Sequence, residues 1–233
     1  MELPHVDWSG LKKRGIQLSD ALLASQVFIH RSYLNENENA LTGSNERLEF
    51  LGDAVLELVV TDALYKRFPE KEEGELTAIR SALVKRDHLA AVAKELALGD
   101  LLLLSRGEEM SGGRRKDYIL ANTLEALIGA LYLGESYAVA AKFIEEFILP
   151  ATDAIVEKKL HVDSKSRFQE LVQERHSVTP HYELLREEGP DHEKSFVMGA
   201  YIGDELVGEG QGSSKRKGEE EAAMAALLAK GWL

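Results

Sequence analysis

The hydrophobic rhythm of this 233-residue chain changes once, near residues 158–163, and that change limits the folds open to it. From Leu18 to about Glu157 apolar residues recur with a helical period, in segments near 20–31, 45–67, 74–84, 86–96, 117–133 and 136–157. Short Gly, Pro and Asn breaks separate these segments. Ser44 or Asn45, Asp87 and Lys116-Asp117 stand where helices should start, and Pro69 and Gly99 where they should stop. No alternating pattern competes, so this part reads as all-helical. From Ser164 the order is one helix to about His176, three alternating stretches, and an Ala-rich helix from about Ser214 to Lys230. Tyr182, Leu184 and Arg186 mark the first stretch, Phe196, Met198, Ala200 and Ile202 the second, and Leu206 to Gln211 the third. Gly203-Asp204 signals a tight hairpin between the last two. The expected organisation is a multidomain chain: an all-α domain over 1–157, a linker over 158–162, and an α-β-β-β-α domain of the α+β class over 163–233.

A hydrophobic content of 44% is ample for a buried core and excludes wholesale disorder. The absence of cysteine excludes disulfides and thiolate metal sites, so any metal must be held by oxygen or imidazole. No apolar stretch approaches the ~18 residues needed to span a bilayer, and Met1–Gly10 lacks the basic-then-apolar order of a signal peptide. We therefore expect a soluble, cytoplasmic protein with no membrane partner. The net charge of −12 argues at first against a polyanionic partner. Focused basic clusters at Lys12-Lys13-Arg14, Arg114-Arg115-Lys116 and Lys215-Arg216-Lys217 reopen the question.

Residues 45–53 read Asn-Glu-Arg-Leu-Glu-Phe-Leu-Gly-Asp. On a helix Glu46, Glu49 and Asp53 stand at i, i+3 and i+7, within an arc of roughly 60°. Leu48, Leu51, Val55, Leu58 and Val59 form the core-facing stripe opposite. Three carboxylates in a row repel one another, and a hard divalent cation with oxygen ligands would turn that repulsion into binding. A solvated acidic face explains the carboxylates equally well. It does not explain Phe50, a large ring on the polar side that needs a surface to cover it.

The second domain points outward at two places. Gly189-Pro190-Asp191-His192 is a turn with a histidine at its tip, and Ser214-Lys215-Arg216-Lys217 opens the last helix. Cations at a helix N-terminus oppose the dipole, a placement better suited to phosphate contact than to helix stability. Phe168-Gln169-Glu170-Leu171, Pro180-x-Tyr182, Gly189-Pro190-x-His192, Phe196-x-Met198, Gly208-x-Gly210-x-Gly212 and Ser214-Lys215-Arg216-Lys217 leading into Ala222-Ala223 occur in one order. Together they resemble the double-stranded-RNA-binding domain. That resemblance implies that the first helix, with Gln169, and the His192 loop contact successive minor grooves, while Lys215, Arg216 and Lys217 straddle the phosphates between them. Such contact reads A-form shape and 2′-hydroxyls more than sequence. Gly218 and Glu220 depart from the Ala and Gln usual in that family, and Gly218 should soften its helix by up to ~1 kcal/mol. Residues 163–233 hold 9 Lys+Arg against 14 Asp+Glu, so weak and salt-sensitive RNA binding is expected.

Beside that module, residues 45–53 resemble the signature of ribonuclease III. His30-Arg31-Ser32-Tyr33, Phe68-Pro69 with Glu73-Gly74, Gly107-Glu108 with Ser111-Gly112-Gly113, and Ile119-Leu120-Ala121-Asn122-x-x-Glu125-Ala126 follow in family order. The resemblance implies an endoribonuclease that hydrolyses phosphodiester bonds in double-stranded RNA. Its catalytic residues would be Glu49, Asp53 and Glu125, and its metal site Glu49, Asp53, Asn122 and Glu125. Magnesium would be the ion, with manganese as a substitute, and no small-molecule cofactor is expected. Glu46 and Glu73 would lie in the substrate valley or at the subunit interface, and Phe50 would enter a socket on the partner of a homodimer. Products would carry 5′-phosphates and short 3′ overhangs, from rRNA and mRNA precursors. His30 is expected to be a packed core residue, and Gly112-Gly113 with Arg114-Arg115 a loop near substrate. The family pattern most often has Asp where this chain has Asn122. Either the site works with one charge fewer, the reading we favour, or activity is lost and the protein only binds duplex RNA as a dimer.

Overall fold

The computed structural model of the chain describes residues 6–37, 41–157, 159, 163–189 and 194–232. They form two compact units, Met1–His161 and Val162–Leu233. The proposed 158–162 linker falls almost entirely outside the described residues.

The first unit contains the helices α1 (Ser9–Lys13), α2 (Ala21–Gln26), α3 (Arg31–Leu34), α4 (Glu46–Arg67), α5 (Glu73–Val84), α6 (Arg86–Glu95), α7 (Leu98–Leu101), α8 (Arg106–Met110), α9 (Asp117–Gly134), α10 (Tyr137–Phe147) and α11 (Thr152–Glu157). α9 is the central post, because it is apolar nearly all round. Ile119, Leu120, Leu124, Leu127, Ile128 and Leu131 are all buried. α4 is two-faced, burying Leu48, Val55, Leu56, Val59, Val60 and Leu64 against it. Two glycines set how closely these helices cross. A Cβ on Gly52 would overlap the Glu125 carbonyl, and one on Gly129 would overlap the carbonyl of Leu48. Glycine in a helix interior costs about 1 kcal/mol relative to alanine, and here it allows backbone to touch backbone.

Two expected helices are interrupted. The 20–31 segment ends as a helix at Gln26: Val27 and Phe28 form a turn, and Val27, Phe28 and Ile29 are all fully buried. Ile29 instead forms a parallel bridge with Leu103, and Leu103 N–H donates to Phe28 O at 2.8 Å. Asn45, expected as a helix cap, makes no side-chain cap. Its buried amide donates to Val27 O at 3.0 Å and so ties the start of α4 to the turn after α2. The 136–157 segment breaks into α10, a 3-10 turn at Leu149–Ala151 and α11, because Pro150 cannot continue a helix.

In the second unit α12 (Ser164–His176) and α13 (Lys215–Ala229) cover one face of a sheet of β1 (His181–Glu188), β2 (Ser195–Ile202) and β3 (Glu205–Gly212). The strands are antiparallel in the order β1-β2-β3, with Gly203 turning the second hairpin at φ +58°. The core holds Phe168, Leu171, Val172, Met198, Ala200 and the alanine face of α13. Gly208, Gly210 and Gly212 lie directly under that helix, where any Cβ would overlap its backbone. The alternation expected through Tyr182, Leu184 and Arg186 is broken by a register shift between Leu184 and Arg186. Arg186 then pairs with Val197, and Leu184 stays exposed. Gly218 has a packing reason, since a Cβ there would meet Met198 Cγ at 2.7 Å. The loss of helix propensity accompanies a close helix–strand contact.

Candidate active site

Because Gly52 and Gly129 let α4 and α9 cross tightly, residues at the crossing and just beyond it share one space. Glu49 and Asp53 from α4 and Asn122 and Glu125 from α9 line a cleft of about 670 Å³, with His30, Arg31 and Glu46 on its wall and Phe50 at its margin. All four side chains expected to hold a metal are therefore brought to one place. Glu73 is not among the cleft residues of its own chain; it sits in the first turn of α5, where the Thr77 hydroxyl donates to it at 3.1 Å. Glu46 is turned to the rim, accepting from Ser44 Oγ at 3.0 Å and pairing with Arg31 at 3.3 Å.

The cleft's electrostatics follow from its crowding. Burial, and then the charges of Asp53 and Glu49, push the Glu125 carboxyl up to about 7. Burial also raises Glu49, helped by Glu46 and Asp53 and opposed by a hydrogen bond from the Asn122 side chain. Among the described residues no Lys or Arg pairs with Glu49, Asp53 or Glu125. An Asp at 122 would add a further like charge; Asn122 supplies a donor to Glu49 and an amide oxygen. Among the described residues no three His, Cys, Asp or Glu side chains are by themselves gathered to metal-holding distance. This donor set fits a hard divalent ion nonetheless. Magnesium takes only one or two carboxylates directly and completes its shell with water and phosphate oxygens, and an amide oxygen is an acceptable ligand for a hard cation.

The basic clusters prove unequal. Arg114 is a structural clamp: its guanidinium donates to Gly99 O, Asp100 O and Leu102 O at 2.8–3.2 Å and pairs with Glu109. Lys116 pairs with Glu108 at 2.7 Å. Only Arg115 of that run is exposed without an ion pair among the described residues. In the second unit Gln169 is exposed on α12, next to the buried Phe168. Ser214 caps α13 by accepting from Lys217 N–H at 3.3 Å. Lys215 and Lys217 have no ion pair among the described residues, whereas Arg216 pairs with Glu220 at 3.0 Å. His192 lies outside the described residues.

Sequence reasoning assigned no role to Gly52 and Gly129, although a glycine inside a strongly helical run is itself a signal of close packing. It also missed Tyr118, half-exposed on the cleft wall, for which the sequence offers no comparable signal.

Comparison with known proteins matches residues 20–152 to the ribonuclease-III-like family and residues 164–229 to the double-stranded RNA binding motif. Ribonuclease 3 of Enterococcus faecalis is 46% identical over 218 residues, 93% of this chain and 94% of that protein. Ribonuclease 3 of Desulfotalea psychrophila is 45% identical over 93% of this chain and 89% of its own length. Among solved structures, the nuclease domain of ribonuclease III from Campylobacter jejuni superposes with a TM-score of 0.57 at 36% identity, over 62% of this chain and 97% of that one. A two-helix carboxylate cleft, a separate three-stranded unit that matches the RNA-binding motif and relatives of this similarity over nearly the full length lead to one assignment: the chain belongs to the ribonuclease III family.

Proposed function

We propose that this endonuclease hydrolyses phosphodiester bonds in double-stranded RNA using divalent metal ions, and that magnesium is the working ion with manganese able to replace it. The observation that carries the reading is the convergence of Glu49, Asp53, Asn122 and Glu125 on one cleft whose single arginine, Arg31, is paired with Glu46, so that among the described residues no Lys or Arg pairs with Glu49, Asp53 or Glu125. These four side chains would hold the metal, which when bound neutralises phosphate charge, activates a water and stabilises the leaving 3′ oxygen. The residues' own contribution is placement. α4 and α9 present their oxygens from opposite walls, and the tight crossing keeps both pairs in register. With a proton affinity near pH 7, Glu125 exchanges its proton for a cation easily at neutral pH.

The second unit supports binding of duplex RNA through Gln169, His192 and the unpaired Lys215 and Lys217, with Arg216 shared with Glu220. A homodimer is supported by α4 itself. Phe50, Leu58 and Tyr65, 80%, 57% and 72% exposed, fall on one side of that helix within about 80° of arc. The Campylobacter jejuni structure is described as having a region involved in dimer formation. A symmetric dimer would cover this stripe in both copies and set two clefts to cut the two strands, giving 5′-phosphate ends and short 3′ overhangs. Glu73 would then act from the valley of the assembled dimer. Processing of rRNA and mRNA precursors in the cytoplasm is the corresponding role. Among the described residues no helix is long and apolar enough to cross a membrane. The binding-only alternative gains no support from the relatives.

The test is incubation of the protein with a perfect RNA duplex, in magnesium and then in chelator. Cleavage to products with 5′-phosphates, abolished by the chelator, is expected. A duplex left intact at every magnesium concentration would sink the enzyme reading.

A further inference from the structure

His30 lines the cleft without belonging to the set that would hold a metal. It follows the turn and the Ile29 bridge after α2 and caps α3 with its own ring. Its Nδ1 accepts the Ser32 N–H at 3.2 Å and lies 2.8 Å from the Ser32 hydroxyl. A backbone N–H can only donate, so Nδ1 must carry a lone pair. The hydroxyl is fixed from its other side, because Ser105 N–H donates to Ser32 Oγ at 3.1 Å, which leaves the hydroxyl proton for Nδ1. Two donors on Nδ1 hold the neutral ring in one tautomer, with its proton on Nε2. Burial lowers the ring's pKa below 6.5, in keeping with a neutral imidazole.

Nε2 has no hydrogen-bond partner among the described residues. Nor is it sealed from solvent: the buried unpartnered side-chain atoms there are Trp8 Nε1, Thr42 Oγ1 and Tyr182 Oη. The half-buried ring lines the cleft, and its Nε2–H is left without a partner among the described residues. That donor is unusual in its setting. Glu46, Glu49, Asp53 and Glu125 are all acceptors when ionised, and Arg31, the cleft's one guanidinium among the described residues, is already paired with Glu46. An RNA strand entering the cleft brings more acceptors still, on its phosphates and its 2′-hydroxyls.

We propose that His30 is a substrate contact, a tautomer-locked Nε2–H donor to a backbone oxygen of the RNA strand in the cleft. The proposal rests on the cleavage reading above. It gives the Ser105–Ser32–His30 chain a purpose beyond capping, since the two bonds on Nδ1 are what keep the proton on Nε2.

Two variants of the full-length protein separate contact from structure. His30→Asn keeps a good helix-capping side chain for the Ser32 N–H but removes the donor to the cleft. His30→Gln carries an amide N–H close to the Nε2 position. The contact predicts a 10- to 100-fold lower kcat/KM for His30→Asn on a perfect RNA duplex, the usual range for a hydrogen bond to a charged or polar substrate oxygen. Melting temperature should stay at the parent value, and His30→Gln should recover part of the rate. Duplexes with single 2′-deoxy or single methylphosphonate substitutions identify the acceptor. At the contacted position the parent loses rate and His30→Asn loses no more, and the substitution showing this distinguishes a sugar from a phosphate oxygen. Nitrogen-15 spectra of the imidazole should show the Nε2–H tautomer at neutral pH. Parent kcat/KM in His30→Asn, a rate loss matched by a fall in melting temperature, or an Nδ1–H tautomer would each overturn the contact while leaving the cleavage reading in place. A parent protein that cuts no duplex overturns both.

Discussion

The crossing of α4 and α9 and the seating of α13 on β3 use the same device and do opposite things with charge. In both, glycine lets one backbone lie against another: Gly52 and Gly129 in the first unit, Gly208, Gly210 and Gly212 in the second. In the first unit the approach presses three carboxylates and an amide into a cleft where, among the described residues, no Lys or Arg pairs with them. In the second it anchors a helix whose first turn holds Lys215, Arg216 and Lys217 in open solvent. Tight packing therefore creates electrostatic tension where the proposed metal site lies. Where RNA is held at the surface, the charges remain hydrated and individually weak.

The largest effects should come from filling the glycine contacts. In Gly129→Ala the new methyl meets the Leu48 carbonyl, a backbone atom that cannot rotate away. We expect a loss of about 3 kcal/mol or more in the helical unit and complete loss of cleavage. Gly210→Ala meets Ala222 N in the same way and should unfold the RNA-binding unit alone, leaving the helical unit's melting transition in place. Calorimetry of the two variants decides this. A single transition that moves equally in both would break the comparison, because the two crossings would then belong to one cooperative structure.

Next in size is the tension at Glu125. Its carboxyl is raised from 4.5 to about 7 in the folded chain, so its contribution to stability is fully present below about pH 4.5 and is lost as pH rises through 7. Glu125→Gln removes that penalty. In chelator at pH 8 the variant should be about 1–3 kcal/mol more stable than the parent, after allowance for the carboxyl's partial exposure, and at pH 4 the difference should vanish. With magnesium it should cleave at least ~1,000-fold more slowly, because the proposed metal site would have lost a charged ligand. Thermal melts at the two pH values provide the check, and equal melting temperatures at pH 8 would show that the carboxylates are not in tension.

How far the sequence revealed these arrangements depended on whether a feature was local. Glu49 and Asp53 share a helical face by spacing alone, and Asn122 and Glu125 repeat it, so each half of the cleft was legible. Their meeting was not, since it depends on the depth of a helix crossing set by two residues without side chains. The turn at Val27–Phe28 and the bridge at Ile29 were missed for a related reason. The three apolar residues fit a helix pattern locally, and only the pairing of Ile29 with Leu103, far along the chain, makes the bridge. The break at 150 was written in the chain as Pro150 and was overlooked within an otherwise periodic stretch. In the second unit the Gly-x-Gly-x-Gly spacing and the hairpin at Gly203 carried through. The register shift after Leu184 left no local mark.

Asn122→Asp sharpens the comparison from the side of the cleft. The substitution replaces a donor to Glu49 by a fourth negative charge. In metal-free protein it should lower stability by about 0.5–1.5 kcal/mol at neutral pH, since a hydrogen bond to a charged group is exchanged for repulsion. In return, half-maximal cleavage should require roughly 3- to 10-fold less magnesium. A magnesium titration of cleavage rate reads this directly. An unchanged requirement would mean that residue 122 stands outside the ion's reach.

The smallest expected effects belong to the exposed cations of α13, and they divide among the three residues. Lys215 and Lys217 are unpaired among the described residues, so Lys215→Ala should weaken duplex binding uniformly across sequences and reduce the salt slope by about 1. Arg216 begins from a different state, because Glu220 one turn on already holds it at 3.0 Å. An exposed pair of this kind is worth only about 0.3–0.5 kcal/mol, so breaking it with Glu220→Gln should tighten RNA binding by about two-fold and no more than a few-fold. The gain should shrink in Arg216→Ala, where there is no guanidinium to release. Binding isotherms at two salt concentrations for the single and double variants provide the test. If Glu220→Gln strengthens binding equally with and without Arg216, the glutamate acts through bulk charge alone and the ion pair has no part in it.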